Sequence, residues 1–294
     1  MKRTAILVPA GAVLLLSAFC IRTPVAAQKD KPSTTSAPLL TRTITRHDIR
    51  RLGFAGAVTI VGAPAGSITI EGWQRSEVEV NSEIELRAPT AADLDRLAVV
   101  NSFALDEDAN HVRIITTGTH DKIFLKRVAK NFPKSLIGLQ WKADYHIKVP
   151  AMTDVEIDTG TGPIKLSGFE GSIRINAVES VADLSLTGSD LSVIIQKGTL
   201  NLTIPARSWH GLRAEIKLAS GNLGVDLMPG FSGDIDAEVL RTGEVKSAFP
   251  GLEPRERNSI GSRSMRARSG NGGALLAFTV GDGTIQIGTI GSRQ

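Results

Sequence analysis

The chain has 294 residues, room for one large all-β domain or two smaller ones. Hydrophobic residues make up 41% but aromatic residues only 4%, beside 29 glycines, which suits thin layers cored by Val, Ile and Leu rather than a bulky helical globule. The formal charge of +4 falls to +1 once residues 1–27 are set aside with Lys2, Arg3 and Arg22, and that is no electrostatic footprint for nucleic acid.

Residues 1–27 read as a signal peptide. Lys2 and Arg3 form a charged start, Ala5 to Phe19 an apolar run, and Val25-Ala26-Ala27 supplies the small residues for cleavage before Gln28. A retained anchor and a lipoprotein cysteine at Cys20 are the competing readings, although Phe19 stands where a lipoprotein signal needs a small side chain. Export places the protein in the periplasm, the outer envelope or outside the cell. Cys20 is the one cysteine, so the processed chain relies on packing and hydrogen-bond ladders and has no thiol for catalysis or metal binding.

Residues 28–48 read as a flexible linker, opening on the polar run QKDKPSTTSAPLLT. Arg42, Arg46, Arg50 and Arg51 form a solvated basic lead-in to the first strand. The folded domain then spans 49–290. Its first β unit runs from Ala57 to Leu86, where Val78, Val80, Ile84 and Leu86 alternate with Glu77, Glu79, Glu83 and Glu85. Without a calcium-loop pattern, the glutamate row reads as a solvated face that discourages edge pairing rather than as a cation site.

A short helix is expected near residues 90–98, capped by Thr90 with Leu94, Leu97 and Ala98 on one face. Strands at Phe103–Ala109 and His111–Thr117 follow. Residues 119–138 break the pattern as an insertion with Lys122, Lys126, Arg127, Lys130 and Lys134 against a single Asp121. Phe124, Val128 and Phe132 fall on one helical face, and Pro133 ends the run. Two readings stay open: a basic amphipathic segment touching an anionic membrane surface or polyanion through those five cations, and an excursion whose apolar face covers the β core.

From Val155 to Val239 short alternating runs are separated by turns of Gly, Ser, Asp and Asn. The apolar positions Ile164, Ile173, Leu184, Val193, Leu202, Ala214, Gly224 and Ile235 follow at steps of 9 to 12 residues. That spacing predicts an all-β, β-solenoid or β-helix-like stack of short strands, each too small to bury its own face. Residues 246–273 read as a second, flexible insertion whose Arg255, Arg257, Arg263, Arg266 and Arg268 would suit a polyanion. Residues 274–290 close the chain as two short strands across Gly281-Asp282-Gly283.

Several of these runs resemble the DUF4097 family of exported bacterial proteins, described as adhesin-like or auto-transporter-adhesin-like. The resemblance is carried by Gly66-Ser67-Ile68-Thr69-Ile70-Glu71-Gly72-Trp73, Ile147-Lys148-Val149-Pro150-Ala151, Asp154 to Ile164, Phe169-Glu170-Gly171-Ser172-Ile173 and Gly283-Thr284-Ile285. It covers roughly residues 55–290, with Pro163 departing from the acidic residue usual before Ile164. It implies a β-solenoid in the cell envelope, and its motifs are structural rather than catalytic.

No catalytic constellation stands out. There is no nucleophile elbow, zinc-protease helix motif or phosphate loop. The five histidines, His47, His111, His120, His146 and His210, are scattered, and Gly160-Thr161-Gly162 and Gly281-Asp282-Gly283 read as turns. The expectation is a non-enzymatic, adhesin-like binding or structural module without cofactor or metal. It would use an extended β face, with Thr161, Ser167, Ser185 and Thr187 as candidate contacts, to meet an envelope polymer or protein. The alternatives are an envelope-stress sensor or regulator and a polysaccharide-processing β-helix enzyme, for which Asp158 and Asp190 are the carboxylates to pair.

Overall fold

A computed structural model describes residues 39–257 and 260–291; residues 1–27, read above as a signal peptide, and the first part of the expected linker lie outside the described residues. The chain opens with β1 (Leu40–Arg51), β2 (Ala57–Ala65), β3 (Ile68–Trp73) and β4 (Glu77–Ala88). Helix α1 (Ala91–Val100) leads to β5 (Ser102–Asp108) and β6 (His111–Thr117), then to helix α2 (Lys122–Val128) and a single 3-10 turn. Next come β7 (Trp141–Pro150), β8 (Asp154–Thr161), β9 (Ile164–Ser167), β10 (Ser172–Ser185), β11 (Asp190–Ile204) and β12 (Arg213–Leu227). The chain ends with β13 (Gly233–Ser247), β14 (Leu252–Pro254), β15 (Ser264–Ser269) and β16 (Leu275–Thr289). All strands belong to one sixteen-stranded sheet, so the class is all-β.

The long strands bend near their middle, and each half pairs in parallel with the matching half of its neighbour. Ile173 lies opposite Leu191 and Leu191 opposite Ala214 in the first halves; Leu184, Leu202 and Val225 align in the second. Strands β8 and β9 form one such pass, and β2 and β3 another. The passes repeat at 18 or 23 residues, as the cross-strand bonds Lys197 to Glu179 and Arg213 to Asp190 mark out. The steps of 9 to 12 residues alternate between the halves: Ile173, Val193, Ala214 and Ile235 lie in first halves, and Ile164, Leu184, Leu202 and Gly224 in second halves. Gly224 itself falls in the outward row opposite Asn201; its neighbours Leu223 and Val225 point inward and join the others in one continuous apolar core.

The bend is built on glycine. Gly66, Gly162, Gly198, Gly221, Gly283 and Gly243 occupy this corner in neighbouring passes, all at positive φ. Each is stacked so closely that a side chain on one would strike the backbone carbonyl of the next. Ser180 takes the place between Gly162 and Gly198 and turns its hydroxyl onto the Gly162 carbonyl at 2.8 Å.

Chain order and spatial order part company at both ends. Beyond β2 and β3 lies the pass formed by β6 and β7, whose corner is expanded into the 119–138 insertion. Antiparallel strands β5, and β4 with β1, then extend the two halves. At the other end the last strand, β16, is inserted between β12 and β13.

Four sequence expectations change. Residues 40–48 are not linker: they belong to β1, whose half-buried face carries Arg42, Ile44, Arg46, Asp48 and Arg50, so charge hides the strand pattern. The glutamate row does not guard an edge, because β4 lies between β1 and β7. Residues 246–273 hold β14 and β15, which extend the sheet from β13. Residues 274–290 form one bent strand, with Gly281-Asp282-Gly283 at its corner rather than in a hairpin turn. Helix α1 starts where expected: Thr90 accepts the Asp93 N–H at 3.1 Å, and Leu94, Leu97 and Val100 are buried.

Candidate interaction surface

Alternation sends every second side chain of each pass outward, and the register lines these up across neighbouring passes. The outer face of the first halves is a charge ladder. Arg113 meets Asp106 at 2.9 Å, Arg174 meets Glu156 at 3.6 Å, Arg213 meets Asp190 at 3.4 Å and Arg268 meets Asp234 at 2.8 Å. These exposed pairs satisfy one another and contribute little stability each. The Arg268 guanidinium holds the Asp234 carboxyl below the usual carboxylate range.

The outer face of the second halves differs. Ser167, Ser185 and Thr203 stand opposite one another on β9, β10 and β11. In the row beside them Lys165, Asp183 and Asn201 align, and Asn201 donates to Asp183 at 2.9 Å. Thr199 and Asn222 continue the face on the corner side. Apart from the long Lys165 and the half-exposed Val181 opposite Thr199, these are short, polar groups.

Toward the N-terminal end the same face opens into a groove of ≈ 510 Å³ that includes His47, Thr69, Asn81, Glu83, Asp144 and His146. Burial raises the Asp144 carboxyl, but the Ser67 N–H and hydroxyl, both at 2.7 Å, and Lys142 at 3.0 Å hold it below the ordinary range. Asn81 separates the two histidines in the register. Among the glutamates, Glu79 is held low by Asn81 and Lys148, and Glu85 by Arg87 and Lys142.

The structure brings some of the sequence candidates together and separates others. Ser167 and Ser185 become neighbours. Thr161 lies at the corner, and Thr187 instead donates to Glu170 at 2.7 Å. Asp158 aligns with Asn176 and Ile194, whereas Asp190 lies four residues before Ile194 on the same strand. Two strand spacings and four residues of rise put Asp158 and Asp190 about 16 Å apart, too far to act on one bond. His210 approaches Glu170 at 3.9 Å, His111 bonds Thr59 at 2.7 Å, and His120 stacks on Trp141. No group of three metal-ligating side chains occurs among the described residues.

The arginines of 246–273 are largely committed within the protein. Arg255 pairs with Asp236, Arg268 with Asp234, and Arg263 donates to the Arg241 carbonyl at 3.1 Å. In 119–138 the cations Lys122, Lys126, Arg127, Lys130 and Lys134 are all exposed. The expected Phe124/Val128/Phe132 face does not pack as a unit: Leu125 and Leu136 are the buried anchors, Phe132 packs partly buried against the core, and Val128 points outward. Helix α2 ends at Val128, so the helical spacing stops before Phe132.

Sequence reasoning also missed a three-fold loop motif. Gly53-Phe54-Ala55-Gly56, Gly168-Phe169-Glu170-Gly171 and Gly230-Phe231-Ser232-Gly233 each precede a first-half strand. Phe169 and Phe231 plug the core, but Phe54 is 87% exposed because Leu52 has taken the buried place.

No protein-family model matches this chain, and no curated protein matches it, so the DUF4097 resemblance rests on the motifs themselves. Among solved structures, the chain is similar to a "putative cell adhesion protein" from Clostridium sporogenes at 12% identity and a TM-score of 0.45, over 84% of this chain and 100% of that one. It is also similar to a "putative adhesin" from Bacteroides fragilis at 11% identity and a TM-score of 0.35, over 84% and 97% of the two chains. Among the described residues no helix is long and apolar enough to cross a membrane.

Proposed function

We propose that this chain is an exported envelope protein whose folded part is a β-solenoid acting as a non-catalytic, adhesin-like binding or structural module. Its binding surface is the outer face of the second halves, and its partner is an envelope polymer or protein. The observation that supports this is the row Ser167–Ser185–Thr203 beside Lys165–Asp183–Asn201, repeated at the strand spacing of about 4.8 Å. Flat rows of short donors and acceptors suit many weak contacts to an extended partner better than enclosure of a small ligand.

The test is retention of the chain from Gln28 on peptidoglycan, outer-membrane vesicles and soluble glycans, with reducing sugar followed in the same samples. Retention without sugar release is expected. Ser185→Arg with Thr203→Arg should weaken it about tenfold or more without changing the circular dichroism, since two bulky cations would break the flat row. Sugar release would replace the binding reading with an enzymatic one, and retention untouched by the double variant would remove this face from it.

A further inference from the structure

We propose that the expanded corner between β6 and β7 is a docking surface for an anionic phospholipid bilayer. The neighbouring passes turn this corner within a few residues, on a glycine or on Ser180, but here the chain spends the whole stretch from Gly118 to Gln140 outside the sheet. The excursion is anchored. Asp121 accepts the Ile123 and Phe124 N–H groups at 2.9 Å, Leu125 and Leu136 are buried, and Phe132 packs on the core.

What it presents outward is unusual for a solvated helix. Ile123 is 79% and Val128 52% exposed, interleaved with Lys122, Lys126, Arg127 and Lys130. Asn101, just past α1, accepts the Thr119 N–H at 2.8 Å, which sets the α1 terminus and its 77% exposed Val99 beside this stretch. None of the five cations of the insertion lies within ion-pair distance of a carboxylate among the described residues, whereas the arginines of the charge ladder are paired. Asp121 offsets part of the Arg127 charge without an ion pair, and the remaining excess of cations among aliphatic side chains complements a surface that offers negative headgroups over an apolar interior. A soluble polyanion would use the charges and leave Ile123 and Val128 in water. This surface is separate from the Ser/Thr face, so either assignment can fail alone.

The experiment is cosedimentation of the chain from Gln28, which contains the whole compact unit Pro38–Gln294, with vesicles of phosphatidylcholine alone or mixed with phosphatidylglycerol. Binding should require the anionic lipid and fall with added salt. Lys126→Glu/Arg127→Glu/Lys130→Glu should lower partitioning about 100-fold or more, at roughly fivefold per cation removed. Ile123→Ser/Val128→Ser should lower it about tenfold. Phe54→Ser, at the opposite end of β6, should leave it unchanged, and circular dichroism checks that each variant folds. Equal pelleting with both vesicle types, or of wild type and the charge-reversed variant, would overturn the proposal. So would binding indifferent to the Ile123/Val128 change, which is the behaviour of a plain polyanion site.

Discussion

A methyl group on Gly221 would stand 1.7 Å from the carbonyl oxygen of Gly198. The two residues face each other across β11 and β12 at the corner, where Gly221 has φ +136°. Gly221→Ala therefore meets both backbone strain and a clash with a carbonyl that has nowhere to go. The expected loss is about 3 kcal/mol or more in urea unfolding. Gly230→Ala is the matched control: φ is +76°, nothing lies within 4 Å of the new methyl, and about 1 kcal/mol of strain is expected.

Tyr145 is the one tyrosine in the chain, so its absorbance titration is free of interference. Its ring is buried edge-on to Phe103, its hydroxyl meets Thr116 at 2.9 Å, and burial pushes its pKa up to about 12. An unfolded tyrosine ionises near pH ~10. The stability linked to this proton is complete below pH ~10 and is lost as pH rises through about 12. Native protein should show no tyrosinate absorbance at pH ~10, whereas urea-unfolded protein should be half ionised there.

Asp282 sits at the corner of β16 and accepts from Arg241 Nε at 2.9 Å and Thr242 Oγ1 at 2.7 Å. The Arg241 guanidinium first, and then Thr242, hold its pKa down to about 2. An unfolded aspartate takes its proton near pH ~4, so this contribution is present above that value and disappears as pH falls through about 2. The stability gap between wild type and Asp282→Asn should be constant from neutral pH to about 5 and close on further acidification.

The Gly-Phe-x-Gly loops make a paired test. Phe231→Ala removes a 1% exposed plug and should cost about 3–5 kcal/mol, while Phe54→Ser should stay within about 0.5 kcal/mol of wild type. A comparable loss at both positions would show that Phe54 is buried in solution.

The strand pattern was legible wherever apolar side chains face inward, as from Val155 to Val239. It was hidden in β1, whose inward face carries three arginines, and in β15, where Met265 and Ala267 alternate with Arg266 and Arg268. The spacing of 9 to 12 residues was real but marked half a pass, and only the register shows that 18 or 23 residues separate equivalent positions. Ser167 and Ser185 could thus be picked out singly, but their partner Thr203 could not. The separation of Asp158 from Asp190 and the pairing of Arg255 with Asp236 are likewise settled by tertiary neighbours, which local pattern does not encode.

The position of β16 governs the order in which the molecule can be completed. Leu275–Thr289 follows both β12 and β13 in chain order, yet among the described residues it is this segment that links their ladders. Until it arrives, β13 has the short β15 strand on one side and an empty slot on the other. A chain stopped before Leu275 would carry two bare sheet edges facing a gap and would be prone to recruit a neighbour's strand. Closure of this part of the sheet therefore waits for a segment made after both of its neighbours, and removing that segment should cost far more than removing the residues that follow β16.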